Sequence, residues 1–311
     1  MNLQQLEYII AVDNQRHFLK AAESCNITQA TLSMMIKKLE EELDILIFDR
    51  SKQPVVPTED GKKAIEQAKK ILIETSRLKE IASKEKGVIS GDLKIGIIPT
   101  VAPYLLPMFL SDFSKRFPKI NLFITEFTTD VIVEKLKSGQ LDAGILATPL
   151  KENSIKEDVL YFEKYFLYVN KAEKGFDKKF VIPTSIALER LWLLEEGNCM
   201  RSQILNLCEL KKKYNKEEKI HYEAGSIETL MNLVDNNYGI TVIPELATKN
   251  FTSTKVKQLR YFKSPVPVRE ISIVTHYQYV KERLLRALKE IVLENIPPEM
   301  KKVKEKNILE L

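Results

Sequence analysis

Near residues 87–91 the spacing of apolar residues changes character: a helical period gives way to β-branched runs that alternate with helical stretches. The change marks a boundary between two parts of the chain. Its 311 residues agree, being about twice the length of an ordinary domain. A hydrophobic share of 44% with only 10 Gly excludes collagen-like and disordered architectures.

Before the change, Leu3, Leu6 and Ile10, then Phe18, Ala21, Ala22 and Cys25, follow helical spacing with a break at Asn14–His17, which predicts two short helices. Asn26-Ile27-Thr28 interrupts the pattern. Thr28 suits an N-cap, and Leu32, Ile36, Leu39 and Leu43 form one stripe on a third helix from Gln29. Leu46-Ile47-Phe48 and Val55-Val56 read as two strands around the turn Ser51–Pro54, a small basic hairpin. Helix, helix, turn, helix and hairpin over residues 1–58 make a winged helix-turn-helix. Over 59–90, Ile65, Ala68, Leu72, Thr75, Leu78 and Ala82 recur at three and four, predicting a long linker helix that pairs with its own copy.

Residues 91–311 read as α/β. Apolar runs at Leu93–Ile98, Leu122–Phe127, Ala143–Ala147, Tyr165–Val169, Leu191–Leu194, Ile240–Ile243 and Ile271–Val274 are separated by helical stretches, which predicts parallel sheets with crossovers. That length is large for one sheet, so two lobes with a cleft are expected.

No stretch approaches the roughly 18 apolar residues that span a bilayer, and MNLQQLEYII has no basic n-region before an apolar core. The expectation is a cytoplasmic protein with no membrane partner. Three cysteines, Cys25, Cys199 and Cys208, do not make a secreted disulfide framework. The net charge of +5 suits a polyanion partner without proving one.

Off the apolar stripe of the third helix stand Gln29, Ala30, Ser33, Met34 and Lys37, which share one face. The start of such a helix enters the major groove, where Gln pairs with adenine and Ser with several base edges. Thr28 and Thr31 flank that start. Arg50 and Lys52, at the wing, suit phosphates. The plainer reading is a solvated helical surface, since Arg16–Lys52 balances six basic against six acidic residues; however, Glu40, Glu41, Glu42 and Asp44 lie at the far end of the helix.

The stretch from Leu6 to Arg50, LEYIIAVDNQRHFLKAAESCNITQATLSMMIKKLEEELDILIFDR, resembles the N-terminal domain of LysR-type transcriptional regulators. The resemblance implies binding to double-stranded promoter DNA. That family usually has Pro where this chain has Ala30, so helix entry is expected to differ slightly.

Cys199 and Cys208 lie nine residues apart in EEGNCMRSQILNLCEL. Most free cysteines are small buried apolar side chains, and that reading stays open. Met200, Ile204 and Leu207 make Cys199–Leu210 look helical, and nine helical residues rise about 13 Å, whereas a disulfide needs Cα atoms within about 7 Å. If the two bond, the helix must come apart. Cys199 would sit in the first turn after the cap Asn198, where free amides favour the thiolate that attacks peroxide.

The segments GDLKIGIIPTVAPYLLP (Gly91–Pro107), LEEGNCMRSQILNLC (Leu194–Cys208) and SIETLMNLVDNNYGITVIPELA (Ser226–Ala247) are similar to the peroxide-responsive members of the same family. The resemblance implies a two-lobed, periplasmic-binding-protein-like regulatory domain and a homodimer or homotetramer. It also implies activation by hydrogen peroxide through a Cys199–Cys208 disulfide, reset by a thiol reductant such as glutaredoxin or thioredoxin. By the same resemblance Thr100, Thr129, Asn198 and Arg269 form the peroxide pocket; Asn198 stands where such relatives frequently have His. Taken alone, Thr100 and Thr129 read as capping residues and Arg269 as a solvated strand residue. Cys25 reads as structural. The competing reading is a family member that holds a small metabolite between its lobes, with incidental cysteines.

His17, His221 and His276 are not at metal-ligand spacing with the cysteines, and no glycine-rich phosphate loop or nucleophile elbow is present. No metal, cofactor or enzymatic activity is expected. Lys301, Lys302, Lys304 and Lys306 read as a solvated end.

Overall fold

The computed structural model describes residues 1–84, 89–170, 179–186, 190–208, 224–236, 239–302 and 308–309. Gly87, Leu210, His221, Lys304, Lys306 and the side chain of Ala82, all weighed above, lie outside the described residues. The chain divides into two compact units, Met1–Val88 with Gln278–Lys281, and Ile89–Tyr277 with Glu282–Leu311.

In the first unit α1 (Leu3–Gln15), α2 (Phe18–Ser24) and α3 (Gln29–Leu43) precede β1 (Phe48–Asp49), β2 (Val56–Pro57) and α4 (Glu59–Lys84). A reciprocal cap between Asn2 and Gln5 starts α1, and the Thr28 hydroxyl accepts from Thr31 N–H at 3.2 Å to start α3. The stripe residues Leu32, Ile36 and Leu39 are fully buried with Ile9, Val12, Ala21 and Ala22, whereas Leu43, the last residue of the expected stripe and of α3, is exposed. The hairpin is shorter than its apolar run suggests. The buried Glu40 carboxylate accepts from the amides of Ile47 (2.9 Å) and Phe48 (3.2 Å), so those amides are held by α3 and not by a strand partner. Gly61 packs against the same segment, where a Cβ would sit 2.0 Å from the Ile47 carbonyl oxygen. Ile65 and Ala68 of α4 close this core, while Leu78 is 67% exposed.

The second unit runs β3 (Gly91–Ile97), α5 (Ala102–Arg116), β4 (Ile120–Glu126), α6 (Thr129–Lys137), β5 (Ala143–Thr148), β6 (Ile155–Val169), β7 (Phe180–Val181), β8 (Leu191–Trp192), α7 (Cys199–Leu207), α8 (Ile227–Asp235), β9 (Ile240–Pro244), α9 (Ser253–Val256), β10 (Leu259–Phe262), β11 (Val268–His276) and α10 (Glu282–Asn295). The sheet is mixed, which corrects the expectation of parallel pairing. Although β3 pairs in parallel with β4 and β5, the strand next to β5 is β11, running antiparallel, and β6 is antiparallel to β11, β9 and β10. Helical crossovers set the first three strands; the long β6 sets the rest.

β6 explains how one sheet makes two lobes. Its first part, Ile155–Lys164, pairs with β11, and its last part, Tyr165–Val169, pairs with β9. One core gathers Leu93, Ile95, Phe109, Ile145, Ile273 and Leu288; the other gathers Leu167, Met200, Ile204, Leu230, Val242 and Leu259. The middle of β6, around Glu163, is where the cores meet. The sequence reading caught only Tyr165–Val169, because charged residues in IKEDVLYFEK hide the first part.

Candidate functional site: a thiol at the junction of two lobes

α7 starts from a turn in which Gly197 adopts a φ of +87°, a conformation that costs glycine little. The turn delivers Asn198, whose Oδ1 accepts from Met200 N–H at 3.1 Å and caps the helix. Cys199 is the first helical residue and Cys208 the C-cap; both are free thiols, as is Cys25, which packs against the core of the first unit. The helix ends three residues before the predicted Leu210, within the described residues. Its two thiols belong to different cores: Cys199 packs against the first lobe, while Cys208, 3% exposed, lies inside the second.

Cys199 opens onto a cavity of about 510 Å³ that Thr129, Asp130, Glu134, Lys151, Asn198 and Ser202 help to line. Thr129 is the first residue of α6, with Thr128 at the cap position, and its buried hydroxyl makes no hydrogen bond of ordinary geometry among the described residues but faces the Cys199 thiol. Burial pushes the Cys199 thiol up. The Arg269 cation, the Thr129 hydroxyl and the amides of Met200 and Cys199 pull it back down without overcoming that push. The first-turn amides therefore favour thiolate as expected, but desolvation outweighs them. Cys208 has no such help, and burial pushes it up to about 12.

Arg269 is not a solvated strand residue: it is fully buried. Its Nε donates to Glu163 Oε1 at 2.7 Å, and its two terminal nitrogens donate to the hydroxyl and carbonyl of Thr100, each at 3.1 Å. Its guanidinium also lies over the Tyr165 ring, 5.7 Å from the centroid. Thr100 is thereby engaged by the arginine and, like Arg269, does not line the cavity. Of the four expected pocket residues, Thr129 and Asn198 face the cavity beside Cys199, and Thr100 and Arg269 form one buried cluster with Glu163.

Sequence reasoning missed Glu163, which completes that ion pair, and Gln203, fully buried on α7. The one available signal was an acid inside the aromatic run YFEKYF. Its partner, 106 residues away, left no trace in the spacing.

In the first unit Gln29, Ala30, Thr31, Met34 and Lys37 are exposed on α3, and Thr28 is exposed at its cap. Lys37 pairs loosely with Glu41 (3.7 Å) and Lys52 with Asp49 (3.6 Å). Arg50 is less available than a bare wing cation: it bonds Glu40 Oε2 at 2.9 Å and the Ser33 hydroxyl at 3.2 Å, and lies over the Phe18 ring. Glu40, counted above among distant surface acids, is buried and ties the wing to α3.

Residues 3–62 match the description of bacterial regulatory helix-turn-helix proteins of the lysR family, and residues 86–297 match the LysR substrate binding domain. This chain belongs to the LysR family. Among LysR relatives, the hydrogen peroxide-inducible genes activator of Haemophilus influenzae is 37% identical over 88% of this chain and 90% of its own. A full-length OxyR variant from Pseudomonas aeruginosa superposes with a TM-score of 0.77 at 30% identity, over 95% and 99% of the two chains. An OxyR cysteine mutant of Corynebacterium glutamicum, described as H2O2-bound, gives 0.59 at 26% identity, over 94% and 92%. The two-lobed α/β architecture behind a helix-turn-helix unit is that of the LysR fold. No helix among the described residues is long and apolar enough to cross a membrane, and none of those residues groups into a metal-binding cluster.

Proposed function

We propose that this LysR-family chain is a peroxide-sensing transcriptional regulator in the cytoplasm that controls antioxidant genes through a reversible Cys199–Cys208 disulfide. The observation that carries it is the pair of free thiols at the two ends of one short helix, each held in a different core. The peroxide-inducible relatives support the same reading.

The Cys199 thiolate attacks one peroxide oxygen, the O–O bond breaks, and the departing hydroxide takes a proton to leave as water, giving a sulfenic acid. Cys208 then displaces the sulfenic hydroxyl as a second water, and the S–S bond forms. Thr129, whose hydroxyl faces the Cys199 thiol, hydrogen-bonds the incoming peroxide, and Asn198 shapes the mouth. Arg269, fixed by Glu163 and Thr100, supplies the positive charge that favours the thiolate. A dithiol reductant such as glutaredoxin or thioredoxin resets the pair at the expense of its own oxidation. One peroxide is consumed per oxidation and one dithiol per reset, and the oxidised state acts at the promoter, so the chain serves as a signal carrier.

Residues 1–58 bind double-stranded promoter DNA, with Thr28, Gln29, Ala30, Thr31, Ser33, Met34 and Lys37 at the groove and Arg50 and Lys52 at phosphates. Residues 59–90 pair protomers into a homodimer or homotetramer, and 91–311 sense the oxidant. The cavity, far larger than peroxide, favours a second reading in which a metabolite occupies the cleft.

Mass-spectrometric mapping of thiols before and after brief peroxide separates the two. A Cys199–Cys208 disulfide that dithiothreitol reverses, and that is absent from Cys199→Ser while operator binding persists, is the expected result. Unchanged thiols under peroxide would overturn the sensor reading.

A further inference from the structure

Gln203 lies in the middle of α7, on the stretch between the two thiols, and is fully buried. Its Oε1 accepts from the Tyr165 hydroxyl at 2.7 Å, and its Nε2 donates to the Leu309 carbonyl at 3.2 Å. Leu309 is itself tied down: its N–H donates to Val268 O at 2.9 Å, Ile308 bridges Val268 in parallel, and its side chain joins the core that holds Met200, Ile204 and Cys208. Val268 precedes Arg269, and Arg269 lies over Tyr165. The helix between the thiols, the strand carrying the buried arginine and the segment Ile308–Leu309 thus close one ring of contacts through a single amide side chain.

We propose that Ile308–Leu309 is a latch on α7 and that Gln203 is the positioning residue through which it sets the thiol–disulfide equilibrium. The inference rests on the disulfide reading above and goes beyond it. In the coiled state the sulfurs are separated by nine helical residues, about 13 Å of rise, and bonding requires Cα atoms within about 7 Å. Gln203 sits in the turn that must unwind, so it cannot keep both Tyr165 and Leu309 when the S–S bond forms. The simultaneous pair of bonds therefore belongs to the dithiol alone, and the bond given up is the one to the Leu309 carbonyl. A buried glutamine that loses its partners also forfeits their compensation for its own desolvation. Coupling of this kind is reciprocal: whatever the latch contributes to the coiled state, the disulfide must withdraw from the latch. Oxidation consequently releases Ile308–Leu309, and removing the latch favours oxidation.

The test uses the full chain and two variants, Gln203→Leu and Leu309→Asp, equilibrated in dithiol–disulfide buffers, with the Cys199–Cys208 bond read by mass spectrometry. Loss of the latch is expected to shift the equilibrium toward the disulfide about tenfold, a midpoint about 30 mV more negative for this two-electron couple. In the unaltered chain, amide hydrogen exchange at Leu309 is expected to be slow when reduced and fast when oxidised, a change that a merely structural contact would not undergo. Should Gln203→Leu fail to fold, Leu309→Asp and the exchange measurement carry the test. Peroxide that leaves the thiols unlinked in the unaltered chain overturns the sensor reading and the latch together. A disulfide that forms with an unshifted midpoint in the variants, or with Leu309 still protected, overturns the latch alone.

Discussion

Replacing Arg269 separates what it does for the fold from what it does for the thiol. It meets Glu163 at 2.7 Å with both side chains fully buried. In Arg269→Met the carboxylate stays behind without its counter-charge, and breaking such a pair costs about 3–5 kcal/mol. For a unit of this size that is a loss of about 6–20 °C in melting temperature. The double variant Arg269→Met, Glu163→Leu removes both charges, and exchanging a buried pair for apolar side chains is often neutral, so most of that loss should return. The chemistry should not return with it. Arg269 is the largest influence holding the Cys199 thiol down against burial. A nearby opposite charge moves a titrating group by about 1–3 pH units, and the low end of that range leaves about tenfold less thiolate at pH 7. Sulfenic acid formation, followed by mass spectrometry against pH, should therefore be about tenfold slower at pH 7 in the double variant, with its rise displaced to higher pH. A double variant as stable and as fast as the unaltered chain, with an unmoved pH profile, would refute the role assigned to Arg269.

Thr129→Val removes a buried hydroxyl that makes no ordinary hydrogen bond within the fold and favours the Cys199 thiolate, so stability should hold or rise slightly, while oxidation of Cys199 slows by about tenfold, the worth of one hydrogen bond; an unchanged rate means the hydroxyl meets neither the thiolate nor the oxidant. Both redox thiols are raised by burial, so below the unfolded thiol's value near 9 their protons are kept in both states and their contribution is fully present. As pH climbs from there toward about 12 the unfolded chain releases the Cys208 proton that the fold retains, and stability should fall by up to about 1.4 kcal/mol per pH unit for that thiol, with a fall of the same sign from Cys199; a drop in stability from pH 8 to pH 10 that is the same with and without Cys208→Ala would contradict this. Arg50→Ala should weaken operator binding to all sequences and lessen its salt dependence. Because Arg50 also holds Glu40, it should destabilise the first unit by about 1–3 kcal/mol, read by thermal melting.

Local chemistry is legible in the chain itself. The stripe Leu32, Ile36 and Leu39, the cap at Thr28 and the cap at Asn198 follow from periodicity and side-chain reach, and they fall where the spacing puts them. So does the helix that separates two thiols nine residues apart, because its cause lies entirely within those residues. Interactions across the fold are another matter. Arg269 reads as an ordinary strand residue until β11 is laid beside β6, which brings Glu163 opposite it in register. Glu40 reads as one of a row of surface acids until the wing folds back and its carboxylate takes two amides and a guanidinium. Desolvation is likewise a property of packing: the helix start at Cys199 promises a thiolate, and only the surrounding lobes decide that burial outweighs it. Sequence determined the segments, their caps and the thiol spacing, since those depend on neighbours along the chain. Tertiary structure decided which charges are buried and paired, and how hard the thiol is to ionise, since those depend on neighbours brought together from other elements, as far as 106 residues away for Arg269 and Glu163.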